Sequence, residues 1–65
     1  MTINEQLKHA RKFRRMTTTE LAKRAGTSVT YISRIEHDTL SPSSKMIEKL
    51  AEGLGMKVLV LPLEI

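Results

Sequence analysis

One predicted helix, residues 29–37, carries a set of short polar side chains on its outward face. Ile32 and Ile35 recur at helical spacing and are assigned to the interior. The side chains left outside are Val29, Thr30, Ser33, Arg34 and His37. They supply hydroxyls, one guanidinium and small apolar groups, and none of them is acidic. This chemistry suits contacts to the edges of DNA bases in a major groove about 12 Å wide.

Catalytic and metal-binding patterns are absent from the sequence. There is no cysteine and no glycine-rich phosphate loop, and His9 and His37 stand isolated along the chain. A zinc site needs three or four ligands, which the sequence does not bring together. The sequence therefore predicts a protein that is not an enzyme and that uses no metal or cofactor.

Positive charge is concentrated in the first half of the chain. The net charge is +4, yet residues 1–34 hold eight lysines and arginines against two glutamates, whereas residues 35–65 hold three against five acids. A basic half of this kind indicates binding to a polyanion, with an ordinary solvated surface as the alternative. The only aromatic residues are Phe13 and Tyr31, which disfavours a stacking surface for single-stranded nucleic acid.

Length and composition indicate one small domain that gains stability by association. A chain of 65 residues buries only about 60% of the surface that it exposes when unfolded. Disulfides cannot compensate, because cysteine is missing. No apolar run reaches the roughly 20 residues of a membrane span, and the first residues lack the pattern of a secretion signal. We therefore expect a soluble, cytoplasmic, nucleoid-associated protein that does not enter a membrane.

Capping residues and apolar spacing predict four helices. Three cover residues 3–14, 18–25 and 29–37, and the fourth lies between Ser43 and Gly55. Hydroxyl residues stand at every predicted N-cap, namely Thr2, Thr17, Ser28 and Ser43. Glu5 and Glu20 each follow a capping threonine by three residues, the pattern of a capping box. The inward positions are Ile3, Leu7, Ala10, Leu21, Ala22, Ala25, Ile32, Ile35, Ile47, Leu50, Ala51 and Leu54.

The second and third helices are joined by only three residues, 26–28. The small side chain of Ala22 allows the two helices to approach closely, and Gly26 supplies the positive φ of a tight turn. This spacing predicts a helix-turn-helix, in which the second helix projects from the domain and can enter a major groove.

The end of the chain changes character after the fourth helix. Residues 56–62 are rich in valine and leucine and close with Pro62, which predicts a strand buried on both faces. A lone strand needs a partner for its backbone groups, and a second copy across a two-fold axis supplies one. Residues 1–55 are then the helix-turn-helix domain and residues 56–65 a dimerisation tail. The predicted dimer contacts are Val58, Leu59, Val60 and Leu61.

Two other interpretations of this tail remain open. It packs irregularly on its own domain, or it is an exposed, aggregation-prone end of a shortened chain.

Four segments resemble the Cro/C1-type (XRE) helix-turn-helix family of phage repressors and bacterial regulators. They read TTELAKRAGTS (18–28), YISRIE (31–36), SPS (41–43) and IEKLAEGLG (47–55). The resemblance spans residues 3–55 and implies an all-α, lambda-repressor-like bundle of four short helices. Two positions depart from the family pattern. Arg15 stands where glycine commonly follows the first helix, and His37-Asp38 replaces the usual Asn/Arg-Gly after the third.

The resemblance also implies which residues contact DNA. The base-reading residues are Ser28, Val29, Thr30 and Arg34. Arg34 can bind O6 and N7 of guanine with both arms of its guanidinium, and Val29 can contact a thymine methyl. Thr17 and Thr18 lie at a helix N-terminus, where an anion such as phosphate is favoured. Weaker phosphate candidates are Tyr31, Ser41 and Ser44; simple capping or solvation is the alternative for all of these hydroxyl residues.

Two further residues have matching positions in similar family members. There an arginine of the first helix pairs with a glutamate at the end of the third, which implies a structural ion pair between Arg11 and Glu36. Basic side chains that remain outside this pair are expected to steer DNA without reading it. They are Lys8, Lys12, Arg14 and Arg15.

Taken with the residues above, the resemblance implies a sequence-specific regulator of transcription. We expect a homodimeric repressor of double-stranded DNA whose operator is an inverted repeat. The alternative is a Hip-type antitoxin, which also neutralises a partner toxin protein, and a toxin encoded by an adjacent gene would favour it. A third interpretation, a scaffold that no longer binds DNA, predicts no salt-dependent affinity for duplex DNA.

Overall fold

The computed structural model describes residues 2–57, and four α-helices account for most of them. In chain order they are α1 Ile3–Phe13, α2 Thr18–Ala25, α3 Val29–Glu36 and α4 Ser44–Gly53. The predicted all-α helix-turn-helix bundle is confirmed, and α1 and α3 each stop one residue earlier than predicted. Within the described range, no helix combines the length and the apolar character needed to cross a membrane.

The predicted strand over residues 56–62 lies almost entirely outside the described residues. Only Met56 and Lys57 fall inside them, and these two residues have no regular secondary structure. The predicted dimer contacts, Val58, Leu59, Val60 and Leu61, all lie outside. The tail and its strand pairing therefore stay predictions.

Each helix begins at a capping hydroxyl, as the sequence predicts. The side chains of Thr2, Thr17, Ser28 and Ser43 each accept a hydrogen bond from the amide three residues later, over 3.0–3.2 Å. In α1 the capping box is complete, because a Glu5 carboxylate oxygen accepts the Thr2 N–H at 3.1 Å. This hydrogen bond and that from the Thr2 hydroxyl lower the pKa of Glu5. In α2 the Glu20 carboxylate contacts the Thr17 hydroxyl instead, at 3.5 Å.

All four helices also end in the same turn. In each, one residue adopts a positive φ, and the following N–H donates to the carbonyl oxygen five residues back. The four donor and acceptor pairs are Met16 to Arg11, Thr27 to Ala22, Thr39 to Arg34 and Met56 to Ala51, over 2.8–3.1 Å. Gly26 and Gly55 make two of these turns, with φ of 67° and 73°.

The other two turns are made without glycine, at the positions where the sequence departs from the family pattern. Arg15 has φ 54° and Asp38 has φ 60°. A side chain in this region costs about 1–2 kcal/mol for most residue types, and less for aspartate. The turns after α1 and α3 therefore keep the glycine geometry at some cost in stability.

The core lies where the four helices face one another. Leu21, Ile32, Ile35, Leu50 and Leu54 are fully buried, and Leu7, Met16, Ala22 and Ala25 complete the cluster. Met16, in the turn after α1, was not among the predicted inward positions. Ile3, predicted to point inward, is 41% exposed, and Ala10 and Ile47 are only half-buried. These three residues line an open groove beside the core.

A second small residue brings α4 close to α2. Gly53 is buried, and a Cβ atom there would lie 3.3 Å from both Arg24 Cβ and Leu21 Cδ1. The sequence predicts close helix approach at Ala22, but the close approach at Gly53 was not predicted. Because α4 is pressed onto α2 here, it supports the helix-turn-helix from behind.

Candidate nucleic-acid interface

The outward face of α3 is open to solvent. Ile32 and Ile35 are each only 2% exposed and fix the opposite face of the helix in the core. On the outside, Ser28, Thr30 and Arg34 are exposed, and Val29 is 43% exposed. The four residues assigned to base reading thus form one accessible surface on and beside the first turns of α3.

Arg34 combines a fixed backbone with a free side chain. Its carbonyl oxygen accepts the Thr39 N–H at 2.9 Å and the Thr39 hydroxyl at 3.1 Å. The guanidinium is exposed, and within residues 2–57 it forms no ion pair. An arginine without an acidic partner keeps its planar set of donors available to an external acceptor.

His37 is exposed, as predicted, and its ring also bonds back to α3. Its Nδ1 lies 2.8 Å from the Ser33 carbonyl oxygen and 3.4 Å from the Ser33 hydroxyl. A carbonyl can only accept, so Nδ1 must carry the proton and donate. His37 therefore satisfies a backbone group at the end of α3 while its side chain stays on the exposed surface.

The hydroxyl residues assigned to phosphate contacts lie at helix starts and in the loop before α4. Thr17 caps α2, so its oxygen already accepts the Glu20 N–H at 3.0 Å, while its hydroxyl hydrogen is shared with Glu20. Thr18 and Tyr31 are half-buried, and Ser41 and Ser44 are exposed. The positive end of α2 remains at the surface, which is a suitable position for an anion.

Arg11 and Glu36 form a largely buried bidentate ion pair between α1 and α3. The Nε to Oε2 distance is 2.5 Å and the Nη2 to Oε1 distance is 2.8 Å. The two side chains are only 13% and 9% exposed. Hydrogen bonding to Glu36 raises the pKa of Arg11, so the guanidinium stays charged throughout the working range of pH. Arg11 is thus occupied within the fold, as the resemblance implied.

Asn4 is a buried polar residue that the sequence analysis missed. It is 6% exposed, and its Nδ2 donates to Asp38 Oδ1 and to the Leu40 carbonyl oxygen, both at 2.9 Å. These bonds tie the loop after α3 to α1. A signal was present, because Asn4, Leu7 and Arg11 share one helical face, and that face is the buried one.

The arrangement can therefore present α3 as a rigid reading element. The Arg11 to Glu36 pair and the Asn4 bonds hold the end of α3 and the following loop onto α1. Gly26 and the close approach of α4 fix α2 behind it. The structure brings the base-reading candidates together on one face, and it places Arg11 elsewhere, in the fold itself.

A family model described as helix-turn-helix matches residues 7–61. The chain therefore belongs to the helix-turn-helix family of DNA-binding domains, which confirms the resemblance.

Two curated proteins are also similar to the chain. It is 38% identical over 58 residues to the immunity repressor protein of Bacillus phage phi105, a match that covers 89% of this chain and 40% of the relative. It is 32% identical over 60 residues to y4dL of Sinorhizobium fredii, an uncharacterized HTH-type transcriptional regulator, with coverage of 92% and 31%. The chain thus spans less than half the length of these relatives. No solved structure matches it significantly.

Proposed function

We propose that this chain is the DNA-binding module of a transcriptional repressor that inserts α3 into the major groove of an operator. The observation that carries the proposal is the division of α3 into two faces. Ile32 and Ile35 are locked in the core, while Val29, Thr30 and Arg34 are accessible on the other side. The helix is eight residues long, or about 12 Å, which fits within the width of the groove.

Within this proposal, Arg34 provides most of the base discrimination. Its exposed guanidinium binds O6 and N7 of a guanine, a contact worth about 1–3 kcal/mol against the wrong base. Val29, near the start of α3, contacts a thymine methyl group, and Thr30 reads through its hydroxyl or its methyl group. Ser28 combines its capping role with a contact at the edge of the groove.

Phosphate contacts fix the register of α3 on the duplex. The N-terminus of α2, with Thr17 and Thr18, takes one phosphate through its free N–H groups and its dipole. Tyr31, Ser41 and Ser44 contribute further contacts. The Asn4 bonds support this arrangement, since they hold the loop that carries Ser41.

The repressor acts as a homodimer on an inverted repeat. Two copies joined through Val58 to Leu61 present their α3 helices to successive major grooves about 34 Å apart. A dimer bound over a promoter blocks access of the polymerase. The similarity to a phage protein called an immunity repressor supports repression as the outcome.

Selection of bound sequences from a random duplex pool tests the proposal. Wild type should enrich an inverted repeat, and Arg34→Ala should lose the preference for guanine at one position of each half-site. Arg14→Ala is the matched control, because Arg14 is also exposed but lies outside α3. It should weaken binding to all sequences alike and leave the base preference unchanged. Enrichment of no sequence by the wild type would overturn the function, and an unchanged preference in Arg34→Ala would overturn the role of Arg34.

A further inference from the structure

An open apolar groove of about 310 Å³ runs between α1 and α4. Its walls are formed by Ile3, Leu7 and Ala10 of α1 beside the polar Gln6, by Ile47 and Ala51 of α4, and by Leu54 just after α4. Ile3 is 41% exposed, and Ala10 and Ile47 are half-buried. The groove thus leaves aliphatic surface in contact with water, at a free-energy cost that grows with the exposed area.

The chain leaves α4 at this groove. The positive φ of Gly55 reverses the backbone, and the Met56 N–H donates to the Ala51 carbonyl oxygen at 2.8 Å. Met56 and Lys57 consequently lie on the groove wall. The sequence then continues with VLVLPLEI (58–65), in which six residues are aliphatic and Glu64 alone is charged.

We propose that the α1–α4 groove is the docking site of the chain's own C-terminal segment, residues 58–65. The segment is apolar, as the groove walls are, and it starts at the groove. Because it is tethered there, it outcompetes any free partner for the site through its high effective concentration.

The last described residues indicate which side chains enter. Met56 is half-buried and packs against the core, whereas Lys57 is exposed. In an extended chain, side chains alternate between two faces. Within this proposal, an extended segment places Val58 and Val60 on the face of Met56, toward the groove, and Leu59 and Leu61 on the opposite, outward face.

The inference adds to the dimer of the proposed function. It rests on that dimer only for the partner that takes the outward face and the backbone edge of the segment. Pairing of two strands satisfies backbone edges but covers neither face, and an isolated two-stranded ribbon is barely stable without a helix to pack against. The groove supplies that packing surface for one face. Leu59, Leu61 and the backbone edge then remain available to the second copy.

Disulfide trapping in the 65-residue chain tests this inference, because the sequence has no cysteine of its own. Val60→Cys is combined in turn with Ile3→Cys and Ala10→Cys, one at each end of the groove wall on α1. Two matched controls are available. In the first control, Lys8→Cys with Val60→Cys, the thiol on α1 lies on the side away from the groove. In the second control, Leu59→Cys replaces Val60→Cys, which moves the thiol of the segment to its outward face.

The expected result is a disulfide within one chain, at least tenfold faster for a groove pair than for either control. Mixing isotope-labelled and unlabelled chains before oxidation identifies any link between copies by mass. Links mainly between copies would overturn the inference in favour of the second copy as occupant, and rates equal to the Lys8→Cys control would overturn docking altogether. Neither readout involves DNA, so failure here is distinguishable from failure of the DNA-binding proposal, which the sequence selection measures on the wild type.

Discussion

Arg11 of α1 donates two hydrogen bonds to Glu36 at the end of α3, one from Nε to Oε2 and one from Nη2 to Oε1. The third nitrogen, Nη1, donates to the Met16 carbonyl oxygen at 2.8 Å. One side chain of α1 therefore holds both the end of α3 and the turn that leads into α2. Together with the Asn4 bonds and the shared core, this arginine helps to set the orientation of the helix-turn-helix relative to α1.

Replacement of Glu36 by alanine should destabilise the fold by about 3 kcal/mol, because it leaves a largely buried guanidinium without its partner. Chemical denaturation followed by circular dichroism measures the loss. Glu48→Ala, on the exposed surface of α4, is the control and should change stability by less than about 1 kcal/mol. A Glu36→Ala protein with the wild-type unfolding midpoint would show that the pair contributes nothing.

Replacement of Arg15 by glycine should stabilise the protein, because Arg15 adopts φ 54° in the turn after α1. Relief of the left-handed conformation gains about 1–2 kcal/mol, part of which the greater freedom of glycine in the unfolded chain removes. Arg15→Ala keeps the strained backbone and removes the same charge. The difference in unfolding free energy between the two variants therefore measures the cost of the positive φ at this position. Equal stabilities would mean that the turn is not strained.

Arg15 and Asp38 also show what the sequence could and could not predict. Helix starts follow from local chemistry, since a hydroxyl side chain bonds an amide three residues away, and all four were predicted. The helix ends at Gly26 and Gly55 were equally predictable from the sequence. The ends of α1 and α3 were predicted to within one residue, but the positive φ of Arg15 and Asp38 was not, because neither side chain favours that conformation in isolation.

Asn4 and the groove illustrate a second limit. Asparagine in a helix is ordinarily a surface residue, and its burial depends on Asp38 and Leu40, more than thirty residues away in sequence. Likewise, apolar spacing placed Ile3 on an inward stripe, but spacing alone does not reveal whether another element covers that stripe. The exposed face of α3, which we propose to read bases, was more predictable, because burial of Ile32 and Ile35 determines which side of α3 is left outside.

Removal of the capping hydroxyl by Thr17→Ala should reduce both stability and DNA affinity. The lost cap costs about 1 kcal/mol of stability, and disorder at the start of α2 should weaken the phosphate contact that we propose there on all DNA sequences alike. Thr2→Ala removes the equivalent cap from α1, away from the proposed interface, and should cost similar stability without changing affinity. Titration of duplex DNA in low salt measures both variants. A Thr17→Ala protein that binds DNA as tightly as Thr2→Ala would remove Thr17 from the phosphate contacts.

Deletion of residues 58–65 should convert the dimer to a monomer, because it removes the strand that we propose to pair across the two-fold axis. Sedimentation equilibrium measures the change in mass. The monomer should bind an inverted repeat no better than a single half-site, since the two recognition helices are then no longer linked. Glu64→Ala is the matched control, because it alters the same segment but keeps its apolar residues, and it should remain dimeric. If the shortened chain sediments as a dimer, the interface lies within residues 2–57, and the tail acts only as the cover of the α1–α4 groove.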